Sequence, residues 1–385
     1  PRDDLAQSVI APPYDVLTED EARAHAATAN SFVHVTRAEV DLAPGSDPHS
    51  TLAYETAADN LRDFVKRGVL VQDEQPTYYI YGQRMGTHRQ LGLVASVSVD
   101  DYDNDRIRKH ELTRPDKETD RTVHLKHLDA QVGLVFLTHP PSAALADICE
   151  RVLDDPPAWK VTTEDGVQHG FWTCPTASIE PIRAAFADMD ALYVADGHHR
   201  CAAASRVHAE RQTPETAFFL AGLFPADQLH VMAYNRVVDD LAGLDPETFL
   251  ARVRERFTVD PSDDATPAGR GAYTMYFQGA WHGLRPIAEL LDRVHEQNDP
   301  VTCLDVAILQ DHLLGPILGI DDPRRSTRIH FVGGIRGPEA LETAVDDGAA
   351  VAFHLYPTGL DQLFAVADAG KVMPPKSTWF EPKLR

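Results

Sequence analysis

The feature that most constrains the fold of this sequence is an apolar strand that runs through a glycine turn directly into an alanine-rich helix. Residues 191–195 (Ala-Leu-Tyr-Val-Ala) predict a buried strand, and residues 196–200 (Asp-Gly-His-His-Arg) predict the turn and the first helical positions. The small residues at 201–204 allow the helix to pack close to a sheet. Strand and helix are therefore expected to form adjacent layers.

The turn after this strand carries the residues expected of an anion site. A helix N-terminus offers free N–H groups and a partial positive charge, and here the donors His198, His199 and Arg200 follow Gly197. Asp196 could cap the helix or hold Mg²⁺ beside a phosphate. Two alternatives stay open. One is a plain Asp-Gly turn; the other is a zinc site, which is weaker because adjacent helical histidines diverge by about 100° and no HExxH partner follows.

Strand-like and helix-like segments are mixed along the chain without a regular βαβ repeat, which favours a mixed α/β or α+β fold. Thr18 opens a capping box at a helix start, and residues 52–67 have helical apolar spacing. Residues 32–37 alternate like a strand. Residues 76–84 and 90–99 predict a hairpin.

The length of 385 residues predicts two or three domains or subdomains, since a domain holds roughly 150 residues. A linker-like stretch rich in Asp, Pro, Ser and Gly lies at 260–271. It predicts an N-terminal domain over residues 1–260 and a C-terminal subdomain over residues 261–385, packed together into one site.

The charge balance excludes a broad class of functions. With 36 Lys+Arg against 59 Asp+Glu, the net charge of −23 argues against nucleic-acid binding, which needs a broad basic face. Two basic islands interrupt this pattern, because residues 106–127 and residues 371–385 each carry a local charge of +3. Such islands can draw a small anion into a cleft whatever the net charge.

Composition also predicts the cellular location of the protein. The four cysteines have no CxxC spacing, which is typical of reduced thiols in the cytoplasm. The longest apolar stretch is about eight residues, too short for a membrane span. We therefore expect a cytoplasmic protein without a membrane partner.

The first basic island contains a candidate general base. Glu111 stands next to His110 among several cations, which is the composition of a base beside an anion clamp. Lys117 and Arg121 are the cations we assign to phosphate. The alternative is a solvated, ion-paired loop.

The second basic island holds Lys376, Ser377 and Thr378 behind two prolines. Hydroxyls beside an ammonium suit phosphate oxygens, so we expect this segment to join Glu111 and the turn in one cleft. A strand that merely closes the core is the alternative. The Gly-Gly-Ile-Arg-Gly segment at 333–337 is typical of a plain turn.

Four motifs occur in order along the chain and together resemble the bacterial and archaeal family called domain of unknown function 1015. They are Pro-Pro-Tyr-Asp-Val at 12–16, Arg-Lys-His-Glu-Leu-Thr at 108–113, Asp-Gly-His-His-Arg at 196–200 and Pro-Pro-Lys-Ser-Thr-Trp-Phe at 374–380. The third motif also resembles the nucleotide-phosphate turn of the ParB/sulfiredoxin-like superfamily, which includes free L-serine kinases. The resemblance implies a ParB/sulfiredoxin-like core elaborated with additional strands and helices. It also implies nucleotide phosphates and magnesium at Asp196–Arg200, with Glu111 as base.

These observations favour a small-molecule kinase that transfers a phosphoryl group to a hydroxyl such as that of free L-serine. ATP, ADP or pyrophosphate would be the donor, with Mg²⁺, at a non-standard phosphate site because there is no Walker A loop. Two alternatives stay open: a non-catalytic nucleotide-binding regulator and a metal-dependent hydrolase. We expect a nucleotide and a small hydroxylated substrate as partners.

Overall fold

The computed structural model describes all 385 residues and divides into two compact units. Unit 1 contains Pro1–Leu229 and the returning segment Pro382–Arg385, and unit 2 contains His230–Glu381. The linker-like composition predicts a division at 260/261. Residues Phe257–Pro261 form a paired strand, so this polar stretch belongs to a sheet and its edge loop within unit 2.

The strands of unit 1 form one eight-stranded mixed sheet. In chain order they are β1 Tyr79–Met85, β2 His88–Ser98, β3 Ile107–Arg108, β4 Val135–His139, β5 Trp159–Thr162, β6 Gln168–Thr173, β7 Leu192–Asp196 and β8 Phe218–Pro225. Their order across the sheet is β3-β7-β4-β8-β2-β1-β6-β5. The predicted hairpin is β1–β2, whose register runs from Tyr79 opposite Val94 to Met85 opposite His88.

Nine α-helices accompany this sheet. They are α1 Ala6–Val9, α2 Glu19–Ala26, α3 Val33–Thr36, α4 Thr51–Lys66, α5 Val99–Asp103, α6 Pro115–Leu128, α7 Ala143–Val152, α8 Ile179–Ala187 and α9 His198–Arg211. Short 3-10 turns lie at Asp3–Leu5, Ala38–Asp41, Thr176–Ser178, Pro214–Ala217 and Ala226–Gln228. The capping box at the start of α2 is present, with the Thr18 hydroxyl accepting from the backbone N–H of Glu21. 

One predicted strand is wrong, because residues 32–37 contain helix α3. The β-branched residues Val33 and Val35 are fully buried in two separate apolar clusters. A helical turn directs them to these clusters, and this packing overrides their strand propensity.

The helices α5 and α9 cover the sheet close to the predicted turn. Cys201 and Ala204 of α9 are buried against Val194 of β7 and Leu137 of β4. The alanine-rich face predicted from residues 201–204 therefore permits close approach of helix and sheet, which fixes the position of the first turn of α9.

Unit 2 contains a six-stranded sheet and a separate two-stranded ribbon. Its strands are β9 His230–Met232, β10 Tyr234–Val238, β11 Phe257–Pro261, β12 Tyr273–Phe277, β13 Ala280–Pro286, β14 Ile329–Gly333, β15 Val351–Leu355 and β16 Trp379–Glu381. The larger sheet has the order β11-β13-β12-β15-β10-β14. In the ribbon, His230 of β9 pairs with Glu381 of β16, so the first and last residues of unit 2 are neighbours.

The helices of unit 2 are α10 Pro246–Arg254, α11 Ala288–Glu296, α12 Asp305–Leu309, α13 Glu339–Asp346 and α14 Leu360–Asp368. A π-helical turn, Gln310–Leu314, continues α12, and a 3-10 turn lies at Gly334–Arg336. Both units mix strands and helices, as the sequence predicts. No helix in the structure combines the length and apolar character needed to cross a bilayer.

Candidate functional site

Parallel pairing of β3 with β7 brings two of the predicted segments together in unit 1. Ile107 lies opposite Leu192 and Arg108 opposite Tyr193. Because parallel strands leave the sheet at the same edge, the residues after β3 emerge beside the turn after β7. The rings of His110 and His198 consequently meet edge to face, with centroids 4.6 Å apart.

Gly197 determines the shape of the turn. It lies in the left-handed region with φ +101° and caps α9, and its carbonyl accepts hydrogen bonds from the N–H groups of Arg200 and Cys201. A Cβ atom at this position would stand 2.9 Å from Nε of Arg200. Glycine is therefore required twice, once for the backbone angle and once for the space that the guanidinium occupies.

Asp196 is held between two cations. Nζ of Lys383 donates to Oδ2 of Asp196 at 2.8 Å, and Nη2 of Arg200 lies 4.0 Å from Oδ1. Burial by itself would raise the pKa of the Asp196 carboxyl, but these two cations hold that pKa well below its usual value. The carboxylate is therefore ionised, and one of its oxygens already accepts from Lys383.

The three histidines have different environments. Burial lowers the pKa of His110 to about 4, against a hydrogen bond to the backbone of Val194 that raises it. Burial likewise keeps the pKa of His198 well below the ordinary value. His199 is half-buried, and its Nε2 accepts the backbone N–H of Arg114 at 3.0 Å. The His199 ring thus connects α9 to the loop that precedes α6.

Glu111 lies within this group. One carboxylate oxygen of Glu111, one ring nitrogen of His110 and one of His198 all lie within 4.8 Å of one another. Glu111 is partly exposed, whereas both histidines are buried. The structure therefore places the predicted base next to the predicted turn.

No role is assigned to Tyr14 or Asp120 from the sequence, and in the structure both residues contact Arg121. Cζ of Arg121 lies 4.1 Å from the centre of the Tyr14 ring, and Asp120 accepts from Arg121 at 2.7 and 2.9 Å. Tyr14, Arg121 and Arg200 all line a cavity of about 60 Å³. Tyr14 belongs to the Pro-Pro-Tyr-Asp-Val motif, and this motif is the sequence signal that could have indicated Tyr14 as a site residue.

The remaining predicted residues lie elsewhere. Lys117 is exposed on α6. Lys376, Ser377 and Thr378 belong to unit 2, so their convergence with Glu111 stays a prediction. There, Nζ of Lys376 lies 5.2 Å from the centre of the Tyr234 ring, and the buried Ser377 hydroxyl donates to the carbonyl of Pro374 at 2.6 Å.

The fold and the turn define a two-unit mixed α/β protein with a polar cluster at the edge of one sheet. The family described as "Protein of unknown function (DUF1015)" matches residues 1–307. The chain therefore belongs to the DUF1015 family. A search of curated proteins finds no match.

Several solved structures are remotely similar. A mutant free serine kinase in complex with ADP is 12% identical at a TM-score of 0.38, covering 74% of this chain and 87% of the other. A conserved hypothetical protein from Pyrococcus furiosus is 12% identical at a TM-score of 0.35, covering 74% and 90%. A C-terminally truncated SbnI from Staphylococcus aureus is 12% identical at a TM-score of 0.42, covering 76% and 84%. At this similarity nothing about activity follows.

Proposed function

We propose that the turn at 196–200 binds the phosphates of a nucleotide or of pyrophosphate, and that the protein transfers a phosphoryl group to a small hydroxylated substrate such as free L-serine. The observation that carries the proposal is the start of α9. There, Gly197 opens space for the guanidinium of Arg200 beside N–H groups that have no acceptor within the helix.

The charges around this turn suit phosphate. Arg200 and Arg121 line the same cavity, and Nζ of Lys383 lies 2.8 Å from the carboxylate of Asp196. Phosphoryl transfer needs chiefly positioning and neutralisation of the charge on the phosphate oxygens. Planar guanidinium groups serve both purposes because they can donate two parallel hydrogen bonds.

Glu111 is the residue we assign as general base, with His110 beside it. Its carboxylate is partly exposed and lies close to the first residue of α9. A hydroxyl held near Glu111 would therefore stand next to phosphates held at the turn. Proton removal by a positioned carboxylate contributes roughly 10²–10⁴-fold to such a reaction.

Magnesium stays part of the proposal as a companion of the nucleotide phosphates. Asp196 is the carboxylate that would hold it, through the oxygen that Lys383 does not contact. The ion would neutralise phosphate charge. Lys117, His199, Lys376, Ser377 and Thr378 remain assigned to phosphate binding as predictions.

The test is a mass-spectrometric search for phosphorylated products. The full chain is incubated with L-serine and other hydroxy amino acids, each with ATP, ADP or pyrophosphate and Mg²⁺. A phosphorylated product is expected, formed roughly 10²–10⁴-fold more slowly by Glu111→Gln. Glu210→Gln, on the exposed far end of α9, is the matched control and should keep wild-type turnover.

Nucleotide binding without any phosphorylated product would instead favour the alternative of a nucleotide-binding regulator. Equal turnover of the wild type and Glu111→Gln would remove Glu111 from the mechanism. Product formation with comparable loss in both glutamate variants would show that the assay reports stability rather than chemistry.

A further inference from the structure

Two buried histidine nitrogens at the edge of the unit 1 sheet have no hydrogen-bond partner. They are Nδ1 of His110 and Nε2 of His198, each shielded from solvent. Buried polar atoms are almost always paired, because burial removes their bonds to water without replacement. Two orphaned nitrogens on rings in contact therefore call for a common explanation.

A carboxylate completes the arrangement. One ring nitrogen of His110, one ring nitrogen of His198 and one carboxylate oxygen of Glu111 lie within 4.8 Å of one another. Ligands about 2.0–2.1 Å from a tetrahedral ion stand roughly 3.4 Å apart. The three groups would have to approach by no more than about 1.5 Å, which small side-chain rotations can supply.

We propose that Nδ1 of His110, Nε2 of His198 and the carboxylate of Glu111 form a binding site for a divalent transition-metal ion of the Zn²⁺ class. Two imidazoles and one carboxylate are a donor set that Zn²⁺, Fe²⁺ and Co²⁺ accept, whereas Mg²⁺ prefers oxygen ligands. Three protein ligands leave a position open for water or substrate. This inference goes beyond the proposed phosphoryl transfer and does not depend on it.

The surroundings of His110 fit the role of a metal ligand. The ring also has a hydrogen bond to the backbone of Val194, and a ligating histidine commonly donates its other N–H to a carbonyl, which fixes the ring. A metal ion binds an imidazole through an unprotonated ring nitrogen, and each of these two rings has one nitrogen without a hydrogen-bond partner. The partly exposed Glu111 provides the approach from solvent.

The spacing of these three residues along the sequence does not indicate a metal site. His198 and His199 are adjacent, and helical geometry prevents both from reaching one ion. The structure uses only His198 of this pair and supplies the other nitrogen from the segment after β3, because β3 pairs in parallel with β7.

The experiment measures metal binding by the full chain in the absence of nucleotide. Protein stripped with a chelator is titrated with Co²⁺, whose visible absorption reports nitrogen and oxygen ligation, and with Zn²⁺ in competition. One equivalent per chain is expected, with a rise in melting temperature on binding. The variants Glu111→Gln, His110→Gln and His198→Gln should each bind at least tenfold more weakly.

His199→Gln is the matched control, since it alters the neighbouring histidine of the same turn and should keep one equivalent bound. Circular dichroism of the chelated proteins shows whether each variant is folded. If the buried histidine variants do not fold, Glu111→Gln decides, because its side chain is partly exposed. The proposal is overturned if the wild type binds no stoichiometric Co²⁺ or Zn²⁺, or if the folded ligand variants bind as tightly as His199→Gln.

Failure of this proposal is distinct from failure of the proposed function. A chain that binds no Co²⁺ or Zn²⁺ can still form a phosphorylated product with Mg²⁺ and nucleotide. Conversely, if the chain binds the transition metal but forms no phosphorylated product, the metal site is supported and the proposed kinase activity is contradicted.

Discussion

The ammonium of Lys383 donates to the carboxylate of Asp196 at 2.8 Å, although 187 residues separate the two along the chain. The backbone of Lys383 is anchored independently, since its carbonyl accepts from Nε2 of Gln83 at 2.8 Å. Next to it, the backbone N–H of Arg385 donates to the Tyr81 hydroxyl at 3.2 Å. The last residues therefore bring a cation to the candidate phosphate turn.

Lys383→Met should destabilise the protein by about 1–3 kcal/mol, because it leaves the Asp196 carboxylate without its closest cation. The backbone contact with Gln83 is unaffected by this change. Lys126→Met removes a more exposed pair with Glu210 and should lower the stability by less, because exposed ion pairs contribute little. Denaturant midpoints of both variants provide the comparison, and equal midpoints would contradict the importance of the Lys383 contact.

Gly197→Ala should lower the free energy of unfolding more than Gly68→Ala does, although both glycines have positive φ. At Gly68 the added Cβ meets nothing, so only the backbone angle matters, at about 1–2 kcal/mol. At Gly197 the Cβ also displaces the Arg200 guanidinium. We expect Gly197→Ala to lose a further amount of stability, about 1 kcal/mol or more. Only Gly197→Ala should also bind pyrophosphate more weakly. Thermal melts and calorimetric titration check this, and equal behaviour of the two variants would refute it.

Arg200→Ala should weaken binding of ADP or pyrophosphate by about 10- to 100-fold, since a charge-assisted contact to phosphate is lost. Arg206→Ala is the control on the same helix, because its guanidinium is exposed and pairs with Glu118 at 3.4 Å. Isothermal titration calorimetry on folded variants measures both affinities. An undiminished affinity in Arg200→Ala would exclude this arginine from the phosphate site.

The stability of unit 2 should depend on pH through Asp305. Burial raises the pKa of its carboxyl to about 6, despite the hydrogen bonds it accepts from the N–H of Gly271 at 3.0 and 3.1 Å. Its pKa in the unfolded chain is about 3.9. Between these values the folded state holds more protons, so this residue's contribution makes the free energy of unfolding fall as pH rises from about 4 to about 6.

Asp305→Asn removes this titration and keeps an oxygen for the Gly271 N–H. The variant should exceed the wild type in stability by about 1–3 kcal/mol above pH 6, with the difference vanishing near pH 4. Asp311→Asn, at an exposed position, serves as the control. Denaturant unfolding from pH 4 to 8 tests this, and a difference that does not change with pH would disprove it.

Local sequence patterns predicted most individual elements of the fold. The helix at residues 52–67 and the hairpin before residue 99 correspond to α4 and β1–β2, because apolar spacing and turn residues act over a few positions. The strand predicted at residues 32–37 is wrong, because burial of these residues in two apolar clusters decides their conformation. The order of strands in the sheets depends on pairings distant in sequence, which no local pattern encodes.

The candidate site shows the same limit. The turn at Gly197 and the carboxylate of Glu111 could be chosen from composition, since helix starts and acid–base residues have recognisable chemistry. Their proximity comes from the parallel pairing of β3 with β7. The contact of Lys383 with Asp196 and the contact of Arg121 with Tyr14 depend on tertiary structure alone, and neither was predicted.

The pairing of His230 with Glu381 places the two ends of unit 2 side by side, so that unit 2 is an insertion with adjacent ends. Paired residues in neighbouring strands have Cα atoms about 4.5–5.5 Å apart, a gap that a hairpin loop of two to five residues spans. Unit 1 could therefore be encoded as one shortened gene in which such a loop replaces the interior of unit 2. The residues that follow, including Lys383, would still be supplied to the sheet of unit 1.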